Sequence, residues 1–503
     1  MENSNECITA QGGDFSNLKF IAELPYYELI KDQNGELYAE LPESSTKRML
    51  LPIRGGGFTN YIRFMFFAMK DQHIGRHKVE KIQDQFEAQC QYSGRSRELF
   101  NRVGEFEGCF FVDGKEETYK ISPGKWEVDP SPPTIFKHFQ GMNSLPRPVP
   151  GGDIRKILNF ANIPGRSDQL LLMTFLAGCF LPKIQHPILV LWGSQGAAKS
   201  SLLRRLLSIA DPRSSDETPH YDEKEFLTAI NARWATGLDN VSYISPQFSD
   251  LLCRLVTGAA FTKRRLFTDE DLIVRRLLRI IIMNGINLPV EKPDLMDRCV
   301  LLQMDRISNE NRKEEAVLDQ EFSAVSGEIL GGCFDAVSRA MEIYPTLEIT
   351  SPFRLKDYAR WGTAISMALG YQADEFLLAL KENVERQHEH SLDASPVASL
   401  ISHYFVANPR QAKLQGTPSE IFRELDSIAG KAGISERQMP RSPRDFGRKL
   451  EECRHNLESQ GYEISRSRGK ERKLIIARPG GSQTPSLTTM PTLFSRLQPQ
   501  QPT

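Results

Sequence analysis

Paired cysteines are missing from this chain of 503 residues. Its eight cysteines, at positions 7, 90, 109, 179, 253, 299, 333 and 453, include no C-x-x-C pair. That spacing supports neither a zinc site nor a disulfide framework, and it fits a reducing compartment. Four of the eight lie among apolar neighbours and are expected as core thiols. An excess of either charge is missing too: 63 Lys and Arg against 64 Asp and Glu leave a formal net charge of −1. Any nucleic-acid surface must therefore be local rather than global. Long apolar runs are also lacking. The longest, around Leu170–Leu181, contains Gly178 and is too short to cross a bilayer. Residues 1–16 are polar, without the apolar stretch of a signal peptide, so a cytoplasmic location is expected. No internal repeat is visible.

The length demands more than one core. Residues 1–16 read as a loose tail, and residues 17–150 as an α+β domain of unassigned role. In the latter, strand-like runs such as Gly108–Asp113 alternate with helical ones such as Lys78–Tyr92. Asp129–Pro133 and Pro146–Gly152 punctuate the chain as a linker or docking strap would. Residues 151–309 read as an α/β nucleotide-binding core with a largely parallel sheet, and 310–399 as helices over it. Residues 400–478 form a last small domain, and the Pro, Gln, Ser and Thr-rich tail 479–503 is expected to be disordered. In the first domain, Gly55–Gly57 reads as a turn. The set Arg95, Arg97 and Arg102 is open between DNA contact and simple solvation of a helix.

Gly193-Ser194-Gln195-Gly196-Ala197-Ala198-Lys199-Ser200 is the most informative segment. It follows the apolar run Ile188–Trp192 and opens into the helical pattern Ser201–Leu207, the order of a phosphate-binding loop. Gly193 and Gly196 let backbone N–H groups curl around phosphates, and the helix N-terminus adds positive potential. Residues 193–201 are thus expected to cradle ATP, with Lys199 reaching the β- and γ-phosphates and the Ser200 hydroxyl on Mg²⁺. Ala198 stands where the G-x-x-x-x-G-K-[ST] pattern has its second glycine.

Such a site needs an acid at the end of a neighbouring strand, and Asp239, after the short run Ala235–Leu238, is the candidate for holding Mg²⁺. Asn240 follows where a second carboxylate often stands. An amide takes no proton, so hydrolysis is slow or a base comes from elsewhere, with Glu223 and Glu225 as possibilities. The run Ile280–Met283 ends in Asn284, a polar tip suited to the γ-phosphate or the lytic water. Arg298, ahead of Val300–Met304, is open between reaching a neighbouring subunit's ATP and a surface ion pair with Asp297 or Asp294.

Two basic regions stand out. Lys263, Arg264 and Arg265 with Phe267 suit phosphate contact plus stacking on single-stranded nucleic acid. Charge alone slightly favours a solvated face there, offset by Asp269–Asp271. Near the C-terminus, helices over Pro418–Ala429 and Pro443–Gln460 precede an alternating hairpin, Tyr462–Arg466 and Arg472–Ala477. About a dozen Lys and Arg between Arg437 and Arg478 exceed the acids there by about six. Arg444, Arg448, Arg466, Arg468 and Lys470, with Arg441, Lys449 and Arg472, are the expected phosphate contacts.

In this order the residues resemble the superfamily 3 helicases and the related viral, phage and plasmid primase-helicase ATPases of the AAA+ class. The matching positions are Gly193–Ser200, Asp239, Lys263–Phe267, Asn284 and Arg298. The resemblance implies an AAA+ P-loop NTPase core carrying an N-terminal α+β domain, a helical lid and a C-terminal winged-helix-like domain. It also implies a hexameric ring around DNA, with Arg298 acting in trans and the basic hairpins lining the channel. Ala198 and Asn240 depart from the pattern and put the rate of hydrolysis in question. The N-terminal domain has no paired D-x-D or H-x-H set, so priming would fall to a separate primase. The function expected is an ATP- and Mg²⁺-dependent DNA motor replicating a phage, plasmid or other mobile element. The alternative is an ATP-gated DNA-binding or loading protein with slow hydrolysis, within an anti-phage defence system.

Overall fold

The computed structural model describes residues 26, 28–42, 48–214, 223–264, 272–286, 290, 292–351, 353–394, 396–429, 439–459, 461–467 and 473–478. They fall into two compact units. One takes the chain up to Val290 together with Arg298–Lys381, and the other takes Glu291–Asp297 with the chain from Glu382. The residues on either side of 150 therefore share one unit.

That first unit opens with β1 (Glu28–Lys31), β2 (Leu37–Pro42) and β3 (Arg48–Pro52), then α1 (Gly56–Lys70) and α2 (Arg76–Ser93). The short β4 (Arg95–Ser96) completes a sheet of order β3-β2-β1-β4. Both helices bury one stripe against it: Phe58 and Ile62 from α1, and Val79, Ile82, Phe86 and Cys90 from α2. After β5 (Leu99–Phe100) come the antiparallel strands β6 (Val103–Phe106), β7 (Cys109–Asp113), β8 (Thr118–Ser122) and β9 (Lys125–Asp129). Next, β10 (Ile135–Phe136) pairs in parallel with β5. The Pro-rich stretch beyond it is a strap held by backbone bonds, from Asn143 N–H to the Pro212 carbonyl and from Val149 N–H to the Gly327 carbonyl.

The strap leads through a 3₁₀ turn, Ile154–Phe160, into α3 (Arg166–Gly178), most of whose residues are buried. The central sheet is parallel, ordered β12-β15-β11-β16, from β12 (Ala235–Leu238), β15 (Ile280–Gly285), β11 (Ile188–Trp192) and β16 (Cys299–Gln303). Its strands are continuous apolar runs because both faces are covered. α4 (Lys199–Ala210) and α5 (Glu223–Asn231) lie between β11 and β12, followed by α6 (Pro246–Thr257). The antiparallel hairpin of β13 (Ala260–Arg264) and β14 (Leu272–Arg276) precedes β15. α7 (Pro293–Met296) is grouped with the second unit. The long α8 (Glu315–Ile343) and α9 (Lys356–Ala368) complete the first.

The division falls within α10 (Ala373–Ala394). The second unit then runs α11 (Pro396–Ala407), β17 (Lys413–Gly416), α12 (Pro418–Ala429), α13 (Pro443–Ser459), β18 (Glu463–Arg466) and β19 (Leu474–Ala477). Its antiparallel sheet is ordered β17-β19-β18. One core joins Leu400, Ile401 and Tyr404 of α11 to Ile421 and Leu425 of α12 and to Phe446, Leu450 and Leu457 of α13. α11 thus packs with the C-terminal elements, although the sequence boundary at 399 splits it. Among the described residues, no helix is long and apolar enough to cross a membrane.

Candidate nucleotide site and basic surfaces

The register of the parallel sheet gathers the site. Leu191 of β11 pairs with Asn284 of β15, and Leu238 of β12 pairs with Met283. The loop after β11, Asp239 after β12 and Asn284 therefore share the carboxyl edge of the sheet, where parallel α/β folds hold their ligands. Gly193 adopts φ 144°, and a Cβ there would lie 2.2 Å from the Met304 carbonyl oxygen. The loop ends at Ala198, the N-cap of α4, with φ 59° and ψ 30°.

Lys199 is buried, and its Nζ donates to the Gly193 and Ser194 carbonyls, each at 2.8 Å. Burial pulls its pKa below the ordinary lysine value, and the Asp239 carboxylate opposes that shift. The Ser200 hydroxyl donates to Asp239 Oδ1 at 2.6 Å. Asn284 Nδ2 donates to the same carboxylate oxygen and lies 3.4 Å from Ser200 Oγ. Asn284 Oδ1 accepts from the Asn240 N–H at 2.7 Å. So four residues proposed from the sequence, Lys199, Ser200, Asp239 and Asn284, converge. Asn284 serves here as a clamp on the Asp239–Asn240 turn.

Others sit apart from that cluster. The Ser201 hydroxyl donates to Glu315, which also pairs with Arg204 and Arg205 of α4. Ser201 therefore faces α8, because the helical turn carries its side chain away from that of Ser200. Arg298 is buried, and its carbonyl accepts from Ile188 N–H at 2.9 Å. It stands at the start of β16, at the opposite edge of the sheet from its own loop. Glu223 and Glu225 begin α5, and their side chains lie outside the described residues.

Lys263 and Arg264 are in β13, paired across the hairpin with Ile273 and Leu272. Arg265 and Phe267 lie outside the described residues, as do Arg468 and Lys470. On α13, Arg444 is exposed, and Arg448 pairs with Asp445 at 2.8 Å. Arg466 of β18 pairs with Glu451. Two of the basic residues proposed for phosphate contact thus carry a carboxylate partner in the unbound chain.

The arginines of the N-terminal region divide. Arg95 and Arg97 pair with Glu28 of β1. Arg102 is wholly buried, neither a DNA contact nor a solvating group. It donates from Nε and Nη2 to Asp211 Oδ1, and from Nη1 to the Asp113 carbonyl. Asp211 Oδ2 also accepts from Arg213 and from the N–H groups of Trp234 and Ala235. Two further arginines escaped the sequence reading: Arg306 and Arg312, which the chain returns to the loop after β16. The Gly196 carbonyl accepts from Ile307 N–H at 3.2 Å. Only three-dimensional contact marks them, since no motif spacing does.

The class defined by fold and site is a mixed α/β protein with a parallel sheet, a glycine turn and Lys-Ser at its carboxyl edge, and an acid–amide pair opposite. Within that class, residues 153–384 match the family of actinomycete integrative conjugative element replication proteins. Residues 394–488 match the C-terminal domain of the same replication proteins. Over most of its length the chain is thus similar to replication proteins of conjugative elements. No curated protein matches it. Among solved structures it is similar to the apo C-terminal region of NrS-1, at 9% identity and a TM-score of 0.40, over 92% of this chain and 98% of that one. A JCV helicase solved with an acetamide ligand gives 13% identity and a TM-score of 0.23, over 42% of this chain and 68% of that one.

Proposed function

We propose that the chain is an ATP-dependent DNA motor with an AAA+ core, serving the replication of an integrative conjugative element. The convergence of Lys199, Ser200, Asp239 and Asn284 beside a glycine turn is the observation that carries this reading. The residues fit a nucleotide with Mg²⁺ on chemical grounds. The Ser200 hydroxyl and the Asp239 carboxylate are the hard oxygen donors that Mg²⁺ prefers. The Lys199 ammonium, held on the loop carbonyls, is a cation close to the α4 N-terminus. Bound Mg²⁺ would neutralise phosphate charge. Asn284 holds the Asp239–Asn240 turn in place for that task.

The family match supports a replication role, and Lys263 and Arg264 lie on one strand of the two-stranded β13–β14 hairpin. The order α11-β17-α12-α13-β18-β19 supports a winged-helix reading, with α13 as the helix offered to DNA. The experiment is steady-state ATP hydrolysis with and without single-stranded DNA, for wild type, Lys199→Ala and Lys263→Ala. The motor reading expects hydrolysis that DNA stimulates severalfold in wild type, is lost with Lys199→Ala, and is unresponsive to DNA with Lys263→Ala.

One observation favours a second reading. Asn240 is exposed, adopts φ 53° and has its backbone fixed by Asn284, so an amide occupies the place of a proton acceptor. An ATP-gated DNA binder needs occupancy rather than turnover. ATP binding with flat, slow hydrolysis on DNA would favour it over the motor.

A further inference from the structure

Beyond the loop itself, the segment after β16 brings two cations onto it. Met304 N–H donates to the Trp192 carbonyl at 2.8 Å, and Ile307 N–H donates to the Gly196 carbonyl at 3.2 Å. The chain thus runs back alongside residues 192–196. Gly196 adopts φ 84°, and a Cβ there would lie 2.5 Å from Nη2 of Arg312 and 3.9 Å from Cγ of Arg306. Both arginines are exposed. Neither has an ion-pair partner among the described residues, whereas Arg204, Arg205 and Lys313 close by are all paired. Two exposed arginines lying against a glycine turn add positive charge and guanidinium donors to the backbone N–H groups that such a turn offers a polyphosphate. A guanidinium presents a planar fork that matches phosphate oxygens, and its charge-assisted bonds are strong.

The geometry points to Arg312, with Arg306 beside it, as an intrachain arginine clamp on the phosphates of a nucleotide held by residues 193–200. The inference rests on the nucleotide reading of that loop. It differs from the role expected of Arg298, which would serve a neighbouring subunit. The clamp is supplied by the same chain, so it acts in a single subunit and on binding as well as turnover. Glu315 at the start of α8 pairs with Arg204 and Arg205 of α4 and fixes where the segment bearing Arg312 ends.

The test is equilibrium titration of the full chain with a fluorescent ATP analogue and Mg²⁺, using Arg312→Ala, Arg306→Ala, the double variant, Arg312→Lys and Lys199→Ala. Inorganic tripolyphosphate serves as competitor, and melting of the unliganded proteins is followed in parallel. The clamp expects about tenfold weaker binding in Arg312→Ala, more in the double variant and partial recovery in Arg312→Lys. It also expects tripolyphosphate to compete less well with the variants, and unliganded melting to stay at the wild-type value. Wild-type affinity in the double variant, with Lys199→Ala still disabled, would overturn the clamp and leave the loop reading standing. Absence of binding by wild type would overturn both. Weaker binding together with a lower unliganded melting temperature would make Arg312 a structural strut and overturn its role as a ligand contact.

Discussion

Ala198 holds φ 59° and ψ 30°, the left-handed conformation that a Cβ makes costly. Glycine escapes that cost, although it loses more conformational freedom on folding. We therefore expect Ala198→Gly to stabilise the chain by about 0.5–1 kcal/mol, read as a higher urea midpoint. The reverse change at the other end of the loop, Gly193→Ala, should cost at least about 2 kcal/mol. Gly193 sits at φ 144°, and its added Cβ would meet the Met304 carbonyl oxygen at 2.2 Å. If both variants moved the midpoint the same way, backbone conformation would not be what sets their effect. The sequence made both positions visible, because the spacing to Lys199-Ser200 marks where glycines belong. It did not reveal that Ala198 keeps the glycine conformation, since a backbone angle follows from the neighbours on each side of the loop. Nor did it reveal that Ser201 turns to Glu315, a carboxylate 114 residues away.

Elements with their own periodicity or punctuation were legible. The helix Pro418–Ala429 and the strand Ala235–Leu238 occur as their patterns suggest. β17 escaped because Lys413–Gly416 is too short to alternate convincingly and becomes a strand only by pairing with β19. The joint between the N-terminal strands and the parallel sheet was illegible for a similar reason. Arg102, just before β6, reaches Asp211, the C-cap of α4, and Asp211 also accepts from the first residues of β12. The pair is wholly buried, so removing the cation would take both Arg102 bonds from Asp211 Oδ1 and leave the charge to Arg213 and the backbone donors at Oδ2. Arg102→Met should therefore destabilise by about 3 kcal/mol. Lys125→Met, which breaks an exposed pair with Glu127, should cost under about 0.5 kcal/mol. Chemical denaturation of both variants checks the contrast. Equal, small effects would mean that the buried pair is no joint at all.

For the whole molecule, the open question is whether one chain holds a complete site. Arg298 lies at the edge of the sheet opposite to Lys199, and the buried start of β16 carries it. It cannot touch phosphates on its own loop without unravelling that strand, so any catalytic role for it requires a neighbouring subunit. Complementation tests this directly. On the proposed motor reading with Arg298 acting in trans, Lys199→Ala and Arg298→Ala should each abolish hydrolysis alone. If the chains assemble as rings, an equal mixture with random order restores about a quarter of the interfaces, those where an intact Lys199 faces an intact Arg298 from the next subunit. Recovery of roughly that fraction of wild-type hydrolysis would establish action in trans. If the mixture stays inactive while Arg298→Ala also melts at a lower temperature, Arg298 is a buried strut of β16. The site would then have to draw its arginine from its own chain, and among the described residues Arg306 and Arg312 lie against Gly196 of the loop.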